Sequence, residues 1–310
     1  MMNEAYLSYA AMKNDEHNAA DKRLGAAGGQ HMRQIALYGK GGIGKSTVAS
    51  HLSCTFAERG LKVLQMGCSP KNDSTYLLLP DFPPTILDVL GENDFMYDDL
   101  EPEDIVTRSP MKFPDGGMIY CAESGGPEPG VGCGGKGVVE AIDTIKKLNI
   151  FKELDIDVVI YDILGDVVCG GFSLPIRQGF AKETYVVTSG EFEALYQVAN
   201  VSKAIKRFEI RAGSKLGGLI VNLRRVKNEQ QMVADFAEKI GTQIVGVLPY
   251  SQTIKQSGGD GKTVFECAPD SDEAQLYRQI GQTVFDNKNL VIPNTLEFEE
   301  LYEWWLPYIN

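Results

Sequence analysis

The 310-residue chain has no long basic run, and its formal net charge is −12. That argues against nucleic acid or an anionic membrane surface as the main partner. No stretch reaches the length of a membrane span, and no apolar signal-peptide core follows the first residues. The expected location is therefore cytoplasmic. Also missing is any C-x-x-C pair: the six cysteines stand apart, at 54, 68, 121, 133, 169 and 267. In a reducing compartment they do not form a disulfide framework, so metal, redox chemistry or burial must account for them. What the chain does have is enough apolar matter, 43% of its residues, for one large α/β domain or two small ones.

The most informative stretch is Gly39-Lys40-Gly41-Gly42-Ile43-Gly44-Lys45-Ser46-Thr47. It fits G-x-x-x-x-G-K-S/T, the phosphate loop. The glycines let backbone N–H groups turn inward around phosphate oxygens. Lys45 reaches the terminal phosphates and the Ser46 hydroxyl binds Mg²⁺. The following helix directs its positive N-terminal end at the same anion. Arg33 to Tyr38 reads as a strand before the loop, and Val48 to Arg59 as a helix after it, stopped by Gly60. A chance glycine-rich turn lacks this strand–loop–helix placement. Lys40 is a second lysine that the motif does not require. It is either a solvated loop cation or a second phosphate contact, made to a nucleotide in another subunit.

Strand-like and helix-like segments alternate along the rest of the chain, without an internal repeat. Lys62–Met66 is a buried-type strand running into the polar stretch Gly67–Thr75. Such stretches lie at the carboxyl end of parallel strands, where ligands bind. Asp73 there is a candidate outer-shell Mg²⁺ carboxylate, whereas Cys68 reads as packing. Pro80 to Asp104 is an acidic surface excursion with a short helix near Ile86–Leu90. Met118–Ala122 is a strand leading into a glycine- and proline-dense loop, Glu123–Gly137, followed by a helix over Val138–Leu148. Asp157–Tyr161 is a parallel-type strand. It ends in Asp162, the usual place for the Mg²⁺ partner of a phosphate loop. Asp166 could orient or deprotonate an attacking water, or simply cap a turn. Strands over Glu183–Thr188, Lys215–Val221 and Gln243–Leu248 alternate with helices over Phe192–Phe208 and Glu229–Ile240. Gly258–Gly261 reads as a loop, Glu273–Asp286 as a helix, and Phe298–Trp305 as a C-terminal helix whose aromatic residues pack. The prediction is one doubly wound, mostly parallel α/β sheet of P-loop NTPase architecture over residues 32–293. Residues 1–31 read as a disordered extension and 294–310 as a C-terminal helix.

Two cysteines, Cys133 and Cys169, sit in glycine-rich loops, which bring backbone N–H groups close to a cluster sulfur. A tetrahedral thiolate site needs four ligands. One chain is short of them, but a two-fold dimer would supply four around its axis.

Four segments, Gly39–Thr47, Gly67–Thr75, Glu123–Gly137 and Tyr161–Pro175, together resemble the nitrogenase iron protein family. That family includes the iron proteins of nitrogenase, of protochlorophyllide and chlorophyllide reductases, of the coenzyme F430 pathway reductase and of methylthio-alkane reductase. The resemblance runs from about Met32 to Pro293. It implies a homodimer bridged by one 4Fe–4S cluster on Cys133 and Cys169 of each chain. It implies MgATP at each phosphate loop, with Lys40 acting across the dimer and Asp166 handling the attacking water. Lys71 and Asp73 would belong to the first nucleotide-responsive switch and Asp162 to the Mg²⁺ site. Asn222 and Tyr277 match positions near the adenine. The implied activity is ATP-gated, one-electron delivery to a separate heteromeric catalytic component, with ferredoxin or flavodoxin as the electron source.

Three departures from the nitrogenase pattern stand out. Ser69 replaces an aspartate in the first switch. Lys136 replaces the arginine that is the site of regulatory ADP-ribosylation. After Arg177 the docking segment continues Gln178-Gly179-Phe180, without the usual charges. They favour a nitrogenase-like reductase, first of all methylthio-alkane reductase, over nitrogenase itself. A true nitrogenase iron protein and a cluster-free positioning ATPase are the competing readings.

Overall fold

The computed structural model describes residues 32–97, 99–126, 134–165, 176 and 180–310. Eight strands form one sheet: β1 (Arg33–Gly39), β2 (Lys62–Cys68), β3 (Thr107–Arg108), β4 (Met118–Glu123), β5 (Val158–Ile163), β6 (Glu183–Thr188), β7 (Lys215–Asn222) and β8 (Ile244–Leu248). Their order is β3-β4-β2-β5-β1-β6-β7-β8. All pairings are parallel except β3 with β4. The chain leaves β1 toward β2 on one side and later fills β6 to β8 on the other. The carboxyl end of β1 therefore lies at a topological switch point, where open α/β sheets bind ligands.

Parallel strands are buried on both faces, and β1 shows why its run is apolar throughout. Ile35 and Leu37 face one core, Ala36 and Tyr38 the other. The first core is closed by α1 (Lys45–Glu58) through Val48, Leu52 and Phe56. In the middle of the fold, α2 (Ile86–Glu92), α3 (Pro102–Ile105), α4 (Gly134–Lys147) and α5 (Ile150–Glu153) follow in sequence. The second core takes Ile142 and Ile145 of α4, Leu195 and Val198 of α6 (Phe192–Ala212), and Met232 and Phe236 of α7 (Glu229–Ile240). After α8 (Gln252–Gly259) and α9 (Val264–Cys267), helix α10 (Asp272–Asp286) returns to the first core with Tyr277, Ile280 and Val284. Finally, α11 (Phe298–Ile309) lays its aromatic residues on the second layer: Phe298 meets Phe192 edge-on at 5.3 Å, and the Trp305 indole donates to the Gly190 carbonyl at 3.0 Å.

Three local expectations need correction. Gly258 and Gly259 close helix α8 instead of lying in a loop; Ser251 caps that helix by accepting from the Ile254 N–H, which outweighs the glycines' low propensity. The antiparallel edge strand β3 went unread because two residues carry no period. Helix α4 begins at Gly134, ahead of Val138, inside the glycine-rich stretch. The 1–31 extension lies outside the described residues.

Candidate nucleotide site

The loop between β1 and α1 is shaped by glycines that no other residue could replace without strain. Gly44, the N-cap of α1, has φ 94°. A Cβ there would meet the Asn222 Nδ2 at 2.7 Å. That amide instead donates to the Ile43 carbonyl at 2.7 Å, and an Arg224 guanidinium N–H donates to the Gly42 carbonyl at 2.7 Å. The end of β7 therefore braces the loop from outside. With its carbonyls tied back, the loop is left with N–H groups to offer an anion, together with the start of a helix.

A cavity of about 220 Å³ opens over this loop. It is lined by Lys40, Gly41, Gly42, Gly44, Lys45, Ser46 and Thr47, by Ser69, Lys71 and Asp73 beyond β2, and by Asp162, Leu164 and Gly165 beyond β5. At its floor the Lys45 ammonium is paired with Asp162, with side chains 11% and 2% exposed. The pair puts a cation where phosphate oxygens would lie and a carboxylate where a metal could be met. Gly165 packs on the loop itself, since a Cβ there would fall 1.6 Å from the Gly39 carbonyl oxygen. The segment entering Asp166 is thus in direct contact with the phosphate loop. Ser69 is buried, and its hydroxyl accepts from the Lys71 N–H at 3.1 Å, so it shapes the turn. Among the described residues Lys40 pairs with Glu193, at 3.7 Å, in an exposed pair that contributes little.

Not every residue singled out in the sequence reaches the cavity. Gly39 and Ile43 belong to the loop without lining it. Asn222 acts through the Ile43 carbonyl. Tyr277 is buried and stacks on His51 at 4.1 Å between ring centroids, so it backs α1 from the core side and is not among the lining residues. Asp166, Cys133, Cys169 and Arg177 lie outside the described residues. Sequence reading passed over Arg224, Gly165 and Glu123. Glu123 stands at the carboxyl end of β4 just as Asp162 stands near that of β5, and the same positional rule would have found it.

His51, one turn into α1, adds a stability term. Its Nδ1–H donates to the Thr47 carbonyl at 2.7 Å, and its Nε2 accepts from the Val264 N–H at 3.1 Å. Both nitrogens are satisfied only in the neutral ring. Burial pushes its pKa down to about 4 from 6.5, against the Thr47 hydrogen bond. As pH falls below 6.5 the unfolded chain takes up a proton that the folded one refuses, so stability is present above that value and lost down to about 4. The loss is on the order of 3 kcal/mol. Thermal unfolding followed from pH 7 to 4 should show this slope, and His51→Gln should flatten it; an unchanged slope would remove His51 as its source.

The four other cysteines are accounted for. Cys54, Cys68 and Cys121 are buried in the core, where loss of solvation raises their thiols well above the ordinary range, and Cys267 is exposed at the end of α9. Among the described residues no cluster of three His, Cys, Asp or Glu side chains could hold a metal ion. Nor is any described helix long and apolar enough to cross a membrane.

Fold and cavity together define a P-loop α/β protein. Solved structures agree on the fold: the cell division ATPase MinD of Pyrococcus furiosus superposes with TM-score 0.62 at 21% identity, covering 82% of this chain and 99% of that one. A ParA family ATPase of Chlorobium tepidum gives 0.60 at 19%, covering 83% and 99%. Sequence similarity is more specific. Residues 33–308 match the model of the 4Fe-4S iron sulfur cluster binding proteins, NifH/frxC family, and the chain belongs to that family. Nitrogenase iron protein 2 of Methanothermococcus thermolithotrophicus is 44% identical over 276 residues, 87% of this chain and 94% of the relative. The nitrogenase iron protein of Methanospirillum hungatei is 42% identical over 273 residues, with the same coverage.

Proposed function

We propose that this NifH-like chain is the ATP-driven electron donor of a two-component reductase. The observation that carries the proposal is the convergence of Lys45 and Asp162 on one cavity floor, with Lys71 and Asp73 facing them, in a chain of a cluster-binding family. The cavity suits a Mg–nucleoside triphosphate. Loop N–H groups and Lys45 would bind the phosphates, and Ser46, Asp73 and Asp162 would hold Mg²⁺. Entry of the phosphates gives Lys45 a stronger partner than Asp162 and frees that carboxylate for the metal. Asp166, the next residue after Gly165, would hold the attacking water. Lys40 is the residue assigned to the neighbouring subunit's nucleotide.

Cys133 and Cys169 of two chains would hold a 4Fe–4S cluster, which supplies one-electron chemistry when bound. With three of the other cysteines in the core, these two, within glycine-rich stretches of the sequence, would take that task. A homodimer, a ferredoxin or flavodoxin as electron source and a cytoplasmic setting complete the reading. Its catalytic partner is nitrogenase-like, first of all methylthio-alkane reductase. Support comes from Ser69, from Lys136, exposed on the first turn of α4, and from the uncharged run ending at Phe180, whose ring lies under the Lys146 ammonium at 3.1 Å. A true nitrogenase iron protein is the second reading, favoured by the names of the relatives.

The test is iron and acid-labile sulfide per dimer of anaerobically purified protein, with EPR of the dithionite-reduced sample with and without MgATP. The expected result is about four irons per dimer and an ATP-sensitive signal. No iron after anaerobic reconstitution would leave a cluster-free ATPase.

A further inference from the structure

Glu123 is fully buried and has no part in the site as described so far. In the sheet register, Gly67 of β2 lies between Glu123 of β4 on one side and Asp162 of β5 on the other. On β4, Ile119 and Cys121 point into the core closed by α1, and strand alternation sends Glu123 to the same face. Only glycine at 67 leaves room for it: a Cβ there would fall 1.8 Å from the Glu123 Oε2.

The other oxygen does specific work. Oε1 accepts from the Thr75 N–H at 2.8 Å and from the Thr75 hydroxyl at 2.7 Å. Thr75 closes the segment whose members Ser69, Lys71 and Asp73 line the cavity. Its neighbour Ser74 is fixed as well. The Gln65 amide donates to the Ser74 carbonyl at 2.9 Å and hydroxyl at 3.1 Å, and its own oxygen accepts from Ser53 of α1 at 2.8 Å. The foot of the segment is therefore locked by buried hydrogen bonds from α1, β2 and β4, an arrangement that resists displacement. Its tip is different. Lys71 and Asp73 are exposed, and Asn72 between them takes a left-handed φ of 54°. A tip with few supports of its own is aimed by its foot.

The arrangement has a cost. Glu123 Oε2 is buried with no hydrogen-bond partner among the described residues, and loss of solvation pushes the carboxyl up to about 7. An apolar or amide side chain would fill the space more cheaply. Departures of this kind concentrate at functional sites.

We propose that Glu123 is a positioning residue for Mg–nucleotide binding, fixing Thr75 and, through it, the placement of Lys71 and Asp73 over the phosphate loop. The proposal rests on the nucleotide reading of the cavity. It is tested by calorimetric titration of MgATP into the full-length protein. Glu123→Ala should raise the dissociation constant by about tenfold, the scale of hydrogen bonds lost to a charged group. Glu123→Gln, whose amide oxygen can accept the same two bonds, should stay near wild type. For hydrolysis, KM should rise in Glu123→Ala with little change in kcat. In an Asp73→Ala, Lys71→Ala background, Glu123→Ala should add almost nothing, because its route to the nucleotide is gone. Equal affinity of Glu123→Ala and wild type, or full additivity in that background, would overturn the proposal. Should Glu123→Ala fail to fold, Thr75→Val removes only the hydroxyl bond and must still weaken binding. Wild-type protein that binds no MgATP would overturn the nucleotide reading instead.

Discussion

Lys45→Ala should abolish MgATP binding and also destabilise the protein, and the two losses should be separable. The first arises because Lys45 is the cation on the cavity floor; without it the phosphates are left with loop dipoles and the more exposed Lys40 and Lys71. A loss of at least about a hundredfold in affinity is expected for a charge-assisted contact in a site shielded from water. The second arises because Asp162, 2% exposed, loses its counter-ion. An uncompensated buried carboxylate costs on the order of 3–5 kcal/mol. Adding Asp162→Asn to Lys45→Ala removes that charge, so thermal stability should recover while MgATP binding stays lost. Calorimetry and thermal unfolding on the three proteins read the two effects independently. Retained MgATP binding in Lys45→Ala would refute the phosphate-loop assignment. Failure of Asp162→Asn to restore stability would show that the pair is not the source of the defect.

The nucleotide half of this protein is legible in sequence because its rules are local. A phosphate loop needs glycines at fixed spacing and a strand and helix on either side, and all of that lies within Arg33–Glu58. The parallel sheet is equally legible, since its strands are apolar runs ending in polar residues. What sequence does not carry is which strand ends become neighbours. Glu123, Gly67 and Asp162 come from three separate segments and meet only because the strand order is β4-β2-β5. Arg224 braces Gly42 for the same reason: the tie runs from the end of β7, across two strand places, to a loop far earlier in the chain. Tyr277 depends on the fold in the same way: the packing of α10 on α1 turns its ring onto His51 in the core.

Ser69 illustrates how a substitution in such a site can change duty while keeping shape. An aspartate there would bring a carboxylate near Asp73 and Asp162 and add to the repulsion that Mg²⁺ must offset. The serine hydroxyl instead accepts from the Lys71 N–H and keeps the turn, without a charge. Among the described residues that line the cavity, two carboxylates, Asp73 and Asp162, stand against three lysines, Lys40, Lys45 and Lys71. That balance favours binding of a polyanion.

Cys133→Ser should take the iron content from about four per dimer to almost none, while MgATP binding stays within about twofold of wild type. The asymmetry follows from what each site uses. The proposed phosphate contacts come from loop N–H groups and Lys45, not from a thiol, so removal of a thiol should leave them in place. Cluster iron needs thiolates, and burial opposes the thiolate. Cys54, Cys68 and Cys121 are all 0% exposed, with thiols pushed well up by loss of solvation. Cys68→Ala and Cys121→Ala should therefore keep their iron, at a modest cost in packing. Cys267 is the informative control: it is exposed at the end of α9 and lies outside the glycine-rich stretches of the sequence. Cys267→Ser should retain full iron and an unchanged reduced EPR spectrum. Iron retained in Cys133→Ser, or lost in Cys267→Ser, would move the cluster from the glycine-rich loops to another part of the dimer. Under the proposed assignment each cluster draws two ligands from each chain, so removing Cys133 deprives it of two thiolates at once, and no partly loaded dimer should accumulate.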